Sequence, residues 1–187
     1  MDASPRRFGH LTFDRNLEIL CRAAKRSKGP IIEFGTFTGR TTFNMALNTI
    51  RTIHTIDTGQ VFGDEGYQDY NVGEEFLGKD MPGRINLIIG DSKKVEIPVV
   101  FGTAGLVFVD GGHDYETAFS DSCRAINLAS RAHGMVIWDD YHPTWLGVMH
   151  ALHKISETQD LCLLRDDSFV LWSPEVAAHG NEHPRWR

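Results

Sequence analysis

The 187 residues fit one domain of ordinary size, and 41% hydrophobic with 24% charged residues allow a buried core and exclude a disordered chain. The formal net charge of −6 argues against nucleic acid as the main partner, because phosphate binding needs a basic surface. No apolar run approaches the ~18 residues that span a bilayer, no signal-peptide core is visible, and three scattered cysteines suit a reducing compartment. We therefore expect a cytoplasmic protein without a membrane partner.

Short apolar runs alternate with amphipathic stretches, which is typical of a largely parallel sheet covered on both faces by helices. In chain order, the pattern predicts helices over residues 14–28, 38–48, 115–131 and 145–155. It predicts strands over residues 31–34, 52–56, 85–89, 106–109, 135–138, 161–164 and 169–172. Only residues 165–168 separate the last two strands, and so short a link favours an antiparallel hairpin over a parallel crossover. We expect one α/β domain over residues 1–187, with its core at about 14–172.

The first strand runs into the sequence EFGTFTG (Glu33–Gly39), which opens a helix. Ligands of open α/β sheets bind at the carboxyl ends of strands, and glycines there let the backbone approach a cofactor closely. The spacing Gly-x-x-x-Gly differs from the G-x-G-x-x-G fingerprint of dinucleotide-binding loops, and the acid in the strand suits a ligand that carries an ammonium group. Asp57 ends the second strand, where a carboxylate can accept both hydroxyls of a ribose. A tight structural turn is the alternative interpretation of the loop.

Acidic residues also follow the fourth and fifth strands, namely Asp110 and then the pair Asp139 and Asp140. Neighbouring parallel strands would bring the three carboxylates to one edge of the sheet, where they repel each other and are costly to bury unpaired. A divalent cation such as Mg²⁺, Mn²⁺ or Ca²⁺ would resolve that conflict. Alternatively, Asp110 contacts only a cofactor, and one of the pair caps the following loop. Asp114 is expected to be the N-cap of the next helix.

The EFGTFTG segment resembles the first motif of the class I S-adenosylmethionine (SAM)-dependent methyltransferases. Asp57 looks like their ribose-binding acid, and Asp91 with Ser92 looks like their adenine-contacting pair. The terminal hairpin is similar to the end of their seven-stranded sheet. Phe37 stands where the commonest family loop has a third glycine, and an aromatic residue there is similar to the catechol-type O-methyltransferases.

The acidic cluster resembles the metal site of the catechol-type enzymes, and the segment VDGGHDYE (109–116) is similar to bacterial sugar and macrolide O-methyltransferases. His113 follows Asp110 by three residues, where the catechol-type enzymes carry a catalytic lysine, so it is the expected base. The resemblance implies a Rossmann-like, seven-stranded, mostly parallel sheet and a metal-assisted methyl transfer from SAM to a hydroxyl of a small molecule. The implied metal ligands are Asp110, Asp139 and Asp140, and the implied cofactor site comprises Glu33, Gly35, Thr36, Phe37, Thr38, Gly39, Asp57, Asp91, Ser92 and Asp110.

Three other functions stay open at this stage. One is a SAM-dependent methyltransferase that binds no metal and methylates another acceptor, such as an amine. Another is an NAD- or nucleotide-binding oxidoreductase, against which the missing fingerprint and the terminal hairpin count. The third is a non-catalytic binding protein on the same fold. Segments 60–70 and 1–13 are candidate lids over the acceptor, and Trp145 either lines the pocket or only starts a helix. His150 and His153 are expected to be solvated without a partner. A homodimer is one of the open oligomeric states.

Overall fold

The computed structural model describes residues 14–59, 71–79, 84–164 and 168–174. Within them the strands are β1 (Ile31–Phe34), β2 (Ile53–Asp57), β3 (Ile85–Ile89), β4 (Leu106–Val109), β5 (Val136–Trp138), β6 (Cys162–Leu163) and β7 (Val170–Trp172). The helices are α1 (Asp14–Arg26), α2 (Arg40–Leu47), α3 (Tyr115–Leu128) and α4 (Leu146–Ser156). The candidate lids at 60–70 and 1–13 lie outside the described residues.

The seven strands form one sheet in the order β3-β2-β1-β4-β5-β7-β6. Strands β1 to β5 are parallel to their neighbours, whereas β7 pairs antiparallel with both β5 and β6. The predicted fold class, including the terminal hairpin, is confirmed. The strand order reverses between β1 and β4, and in open α/β sheets such a reversal marks the crevice where ligands bind.

Alternating side chains of the central strands supply two separate cores. Ile32 and Phe34 pack in the core that contains α3 and α4, while Ile31 packs with residues of α1 and α2. Because successive side chains of a strand point to opposite faces, these nearly continuous apolar strands are buried on both sides. The helices therefore cover both faces, two on each. None of the described helices combines the length and apolar character needed to cross a bilayer.

Three of the described helices are shorter than their sequence patterns predict, and α1 is one of them because it ends at Arg26 rather than at residue 28. Helix α2 begins at Arg40 rather than Thr38, because Gly39 has a left-handed conformation (φ 83°). Helix α3 ends at Leu128 because Ala129 is extended and bridges to Ala104 at the opposite, N-terminal edge of the sheet. Backbone pairing outside the helix thus replaces the last predicted turn of α3.

The strand reversal brings Gly35 at the end of β1 against Asp110 at the end of β4. The N–H of Asp110 donates to the carbonyl of Phe34 (2.8 Å), and Gly35 has a φ of 91°. A Cβ atom at Gly35 would lie 1.8 Å from the carbonyl oxygen of Asp110. Only glycine therefore permits this close approach of the two strand ends.

We expect Gly35→Ala to lower the free energy of unfolding several-fold more than Gly102→Ala does. Gly102 has a similar φ of 74°, but a Cβ there would meet no atom within 4 Å. Gly102→Ala should lower the free energy of unfolding by about 1 kcal/mol, from backbone strain alone. Urea unfolding of both variants and the parent measures the difference. Equal losses would contradict a steric requirement at Gly35.

Candidate active site

The predicted site residues come together at the carboxyl edge of the sheet, around the β1/β4 reversal. The glycine loop follows β1, Asp57 ends β2, Asp91 follows β3, Asp110 follows β4 and Asp139 follows β5. Parallel pairing aligns these strand ends, so residues that are distant in sequence share one edge. The arrangement consists of a glycine-loop half and an acidic half that meet where Gly35 contacts Asp110.

Asp57 organises the glycine loop directly. Its Oδ2 accepts the backbone N–H groups of Thr36 and Phe37, both at 3.0 Å, and its Oδ1 accepts the N–H of Gly59 at 2.9 Å. A carboxylate has about four acceptor positions. Three are used by described residues, so about one position, on Oδ1, is left for a ligand, whereas the sequence suggested that both ribose hydroxyls could bind.

The backbone of Phe37 is held by hydrogen bonds at both its N–H and its carbonyl. Phe37 has a φ of 50°, the left-handed region that glycine adopts at least cost. Its N–H is held by Asp57, and its carbonyl accepts the N–H of Gly73 at 2.8 Å. The carbonyl of Thr38 likewise accepts the N–H of Glu75 at 2.9 Å. Segment 71–79, which sequence reasoning did not connect with the site, therefore supports the loop from outside.

Glu33 lies beneath the loop and is only 1% exposed. Its Oε2 accepts the hydroxyl hydrogens of Thr42 and Thr55, the latter at 2.6 Å. Burial raises the pKa of Glu33 to about 7, with a further upward contribution from the charge of Asp57, although the two threonine hydrogen bonds act in the opposite direction. Glu33 thus ties β1 to β2 and α2, and its carboxylate is turned towards the protein.

In the loop after β3, the carboxylate of Asp91 contacts residues of its own turn. Its Oδ1 accepts the N–H of Lys93 at 2.9 Å, and its Oδ2 lies 3.1 Å from Nζ of Lys94. The backbone hydrogen bond from Lys93, followed by the contact with Lys94, holds the pKa of Asp91 below its ordinary value. Ser92, next to it, is partly exposed.

In the acidic half, the three predicted metal ligands and His113 line one small cavity of about 10 Å³, room for about one water molecule. Burial, followed by the charges of Asp139, Asp140 and Glu33, raises the pKa of Asp110 well above its ordinary value. The carboxyl groups of Asp139 and Asp140 are therefore close enough to disfavour ionisation of Asp110, which is the repulsion that their positions in the sequence predicted.

His113 and Asp140 form a direct pair across this cavity. Nε2 of His113 lies 2.8 Å from Oδ2 of Asp140. The indole of Trp145 stacks on the imidazole, with ring centroids 3.9 Å apart and planes inclined by 15°. Asp140 itself has a left-handed φ of 61°, a conformation that aspartate tolerates better than most residues. The imidazole is thus held in plane by Trp145 and at one nitrogen by Asp140.

The three aspartates have the donor chemistry of a cation site. Three carboxylates at one strand edge are the oxygen ligands that Mg²⁺ prefers. Oδ1 of Asp139, however, accepts the N–H of Asp140 at 2.7 Å and the hydroxyl of Ser168, and Asp140 faces His113. Within the described ranges, no three His, Cys, Asp or Glu side chains are grouped as a metal-binding set. The residues fit a cation in donor chemistry, while the side chains of Asp139 and Asp140 contact protein partners.

Two smaller expectations have clear outcomes. Asp114 is the N-cap of α3, as predicted, because its Oδ1 accepts the N–H of Thr117 at 2.9 Å. His153 is exposed, but the expectation that it has no partner is wrong. Its Nε2 lies 2.9 Å from the hydroxyl of Tyr141, since the loop after β5 returns over α4.

Comparison with known proteins identifies the family. A methyltransferase-domain family model matches residues 32–141, which is more than half of the chain. The chain belongs to this methyltransferase family. The resemblance to class I SAM-dependent methyltransferases that the sequence predicted is thereby confirmed.

Solved structures agree at the level of the fold. The O-methyltransferase NovP is 18% identical, with a TM-score of 0.66, over 85% of this chain and 79% of its own. CalS11, a TDP-rhamnose 3'-O-methyltransferase of calicheamicin biosynthesis, is 21% identical, with a TM-score of 0.60, over 85% and 77%. An O-methyltransferase from Bacillus cereus in complex with SAH is 15% identical, with a TM-score of 0.62, over 88% and 82%. No curated protein matches the sequence at a significant level.

We expect the stability of the parent to fall as pH rises from about 4.5 to about 7, and Glu33→Gln to flatten this fall. The unfolded carboxyl loses its proton near its ordinary value of 4.5, whereas the buried one holds it to about 7. Its contribution is therefore fully present below 4.5 and lost as pH passes through 7. The full shift corresponds to about 3 kcal/mol.

Urea unfolding between pH 4 and 8 measures this dependence. Glu18→Gln, at an exposed position of α1, is the matched control because it removes the same charge without burial. A Glu33→Gln variant that retains the slope of the parent and of this control would contradict the assignment.

Proposed function

We propose that the protein transfers the methyl group of SAM to a hydroxyl of a small molecule, with His113 as the base and a divalent cation held by Asp110, Asp139 and Asp140. The observation that carries this proposal is the 2.8 Å contact between Nε2 of His113 and Oδ2 of Asp140, beside two further carboxylates at the edge that also carries the glycine loop. A base and an acidic cluster next to a cofactor loop suit the removal of a proton from an acceptor oxygen.

The cofactor is proposed to lie over the strand ends β1 to β3. The glycine loop would accommodate the methionine portion, with the charge of Glu33 beneath it and Asp110 at its side. Oδ1 of Asp57 would accept one ribose hydroxyl, because its other positions are largely occupied. Asp91 and Ser92 would border the adenine. The Bacillus cereus O-methyltransferase, which shares this fold, was solved in complex with SAH, and that supports the choice of cofactor.

In the proposed transfer, the acceptor oxygen attacks the methyl carbon, a C–O bond forms, the C–S bond breaks, and S-adenosylhomocysteine leaves. The proton of the hydroxyl passes to His113. With Nε2–H donating to Asp140, the neutral imidazole carries its lone pair on Nδ1, which is the atom left to take the proton. Trp145 stacks on the imidazole of His113 and restrains it, so the ring has little orientational freedom left to lose before transfer.

The cation, when bound by the three aspartates, would balance their charge and lower the pKa of an acceptor hydroxyl. CalS11 is named as a TDP-rhamnose 3'-O-methyltransferase, which supports a hydroxyl as the acceptor group. A metal-independent transfer to another acceptor, such as an amine, is the second candidate. The protein partners of Asp139 and Asp140 favour this second candidate, because each of the two carboxylates has a hydrogen-bond partner without an ion.

We expect His113→Gln to lower kcat about 100-fold or more, because general-base catalysis contributes at least that much, while the Kd for S-adenosylhomocysteine changes little. Labelled SAM with a panel of phenols and sugar hydroxyl compounds measures transfer, and calorimetry measures binding. His142→Gln is the control, since the imidazole of that histidine contacts Thr144 among the described residues. Unchanged transfer in His113→Gln would remove His113 from the mechanism, and a parent that binds neither SAM nor its product would refute the function.

We also expect EDTA to abolish transfer by the parent and added Mg²⁺ to restore it. Asp139→Asn should weaken the response to Mg²⁺, because it replaces a charged ligand by an amide. Ser168→Ala is the matched control, since it removes the hydrogen bond to Asp139 but leaves the carboxylate. Full activity in EDTA would instead select the metal-independent candidate.

A further inference from the structure

Segment 71–79 lies against the glycine loop, and the proposed mechanism does not use it. Two backbone hydrogen bonds join the two, from the N–H of Gly73 to the carbonyl of Phe37 (2.8 Å) and from the N–H of Glu75 to the carbonyl of Thr38 (2.9 Å). Phe37 has a left-handed φ of 50°, which costs a non-glycine residue free energy. The conformation of the loop therefore depends in part on a segment that is distant in sequence.

One side chain, that of Phe76, packs this segment onto the loop. Phe76 is only 7% exposed, whereas its neighbour Leu77 is 54% exposed. A Cβ atom at Gly39 would overlap the ring of Phe76, and a Cβ atom at Gly73 would lie 2.7 Å from its Cζ atom. The ring thus contacts the backbone of the loop at one glycine and that of its own segment at the other. The two glycines leave the ring the room that it needs.

The other side-chain contact between the segment and its surroundings is weaker. Nζ of Lys79 lies 4.1 Å from the centroid of the Phe43 ring on α2, but the lysine side chain is 45% exposed. A cation–π contact in water contributes less than the burial of a phenylalanine side chain. Docking of segment 71–79 on the loop therefore depends mainly on Phe76.

A docked segment has a consequence for ligand affinity. When only a fraction of the molecules has the conformation that binds a ligand, the apparent affinity falls by that fraction. Without the hydrogen bond from Gly73, the left-handed conformation of Phe37 would be less populated. Docking of the segment would therefore raise the affinity of the glycine loop for its ligand.

We propose that Phe76 is a positioning residue, which holds segment 71–79 on the glycine loop and thereby sets the affinity for SAM. This inference rests on the proposed function, which places the methionine portion of SAM in the loop. Coupling between two equilibria is reciprocal, so a bound cofactor holds the segment in its docked position in return. The coupling acts through the backbone hydrogen bonds at Phe37 and Thr38.

The first test is the affinity of Phe76→Ala for S-adenosylhomocysteine, measured by calorimetry. We expect Kd to rise about tenfold, because the segment is then docked in a minority of the molecules. The KM for SAM should rise by a similar factor while kcat changes little, since saturating cofactor restores the docked state. Leu77→Ala is the matched control, because it truncates the adjacent, exposed side chain. Phe76→Leu, which keeps part of the buried apolar volume, should recover part of the affinity.

The second test measures the reciprocal effect in the parent by amide hydrogen exchange. The N–H groups of Gly73 and Glu75 should exchange about tenfold more slowly with saturating S-adenosylhomocysteine than without it. The N–H of Gln159, which donates to the carbonyl of Ile155 after α4, is the internal control, and its exchange should not change. A purely structural role of Phe76 would alter urea unfolding and leave both the Kd and this exchange unaffected.

The outcomes separate the two proposals. A parent that does not bind S-adenosylhomocysteine refutes the proposed function. A parent that binds it, while folded Phe76→Ala has the same Kd as Leu77→Ala, overturns the inference and leaves the function standing. Exchange at Gly73 and Glu75 that does not respond to the ligand also overturns it. This measurement on the parent decides the matter if Phe76→Ala does not fold.

Discussion

The close approach of β1 and β4 at the reversal of strand order is the constraint on which the rest of the site depends. Gly35 allows it, because a side chain there would overlap the carbonyl of Asp110. Through this contact the glycine loop, which belongs to the first half of the sheet, lies beside the acidic cluster of the second half. In the proposed function, a methyl donor on one side and an acceptor on the other need to meet in line, and the shared edge would supply the proximity.

This arrangement buries several acidic side chains, and burial of a carboxylate is energetically unfavourable. Burial raises the pKa values of Glu33, Asp110 and Asp121, and each of the three is placed in a different element. Glu33 has two threonine hydroxyls to offset its burial, and the charge of Arg124 acts on Asp121, whereas Asp110 has two further carboxylates near it. Charge is thus best compensated under the glycine loop and least compensated at Asp110. That imbalance supports the acidic half as the place of the proposed chemistry, because like charges there favour the binding of a proton or a cation.

Much of the fold could be predicted because it follows from the local pattern of apolar residues and turns along the chain. Apolar runs of four or five residues gave the central strands, and the short link before Phe169 gave the antiparallel end of the sheet. Gly35, Asp57 and the acidic residues after β4 and β5 could be placed at one edge because parallel strands align their carboxyl ends. The left-handed conformation of Phe37 could not be predicted, because the backbone of segment 71–79 and the carboxylate of Asp57 hold it, and neither contact is local.

Helix α3 shows the other limit of sequence reasoning. Its amphipathic pattern predicted a helix, but the pattern cannot tell that the polar residue Asp121 is buried, since its burial depends on how the helix packs in the fold. Ser122 of the same helix accepts a hydrogen bond from the indole N–H of Trp138 in β5 (2.9 Å). The helix begins at Tyr115, close in sequence to His113.

One rigid element therefore contacts the turn after β3, where Arg124 donates to the carbonyl of Val95 (2.9 Å), as well as the core under the acidic cluster and the proposed base. A displacement of α3 would move the proposed adenine contact and the His113–Asp140 pair together, because side chains of a packed helix move as a unit. In the proposed function, cofactor binding and acceptor activation are thus expected to be coupled through this helix.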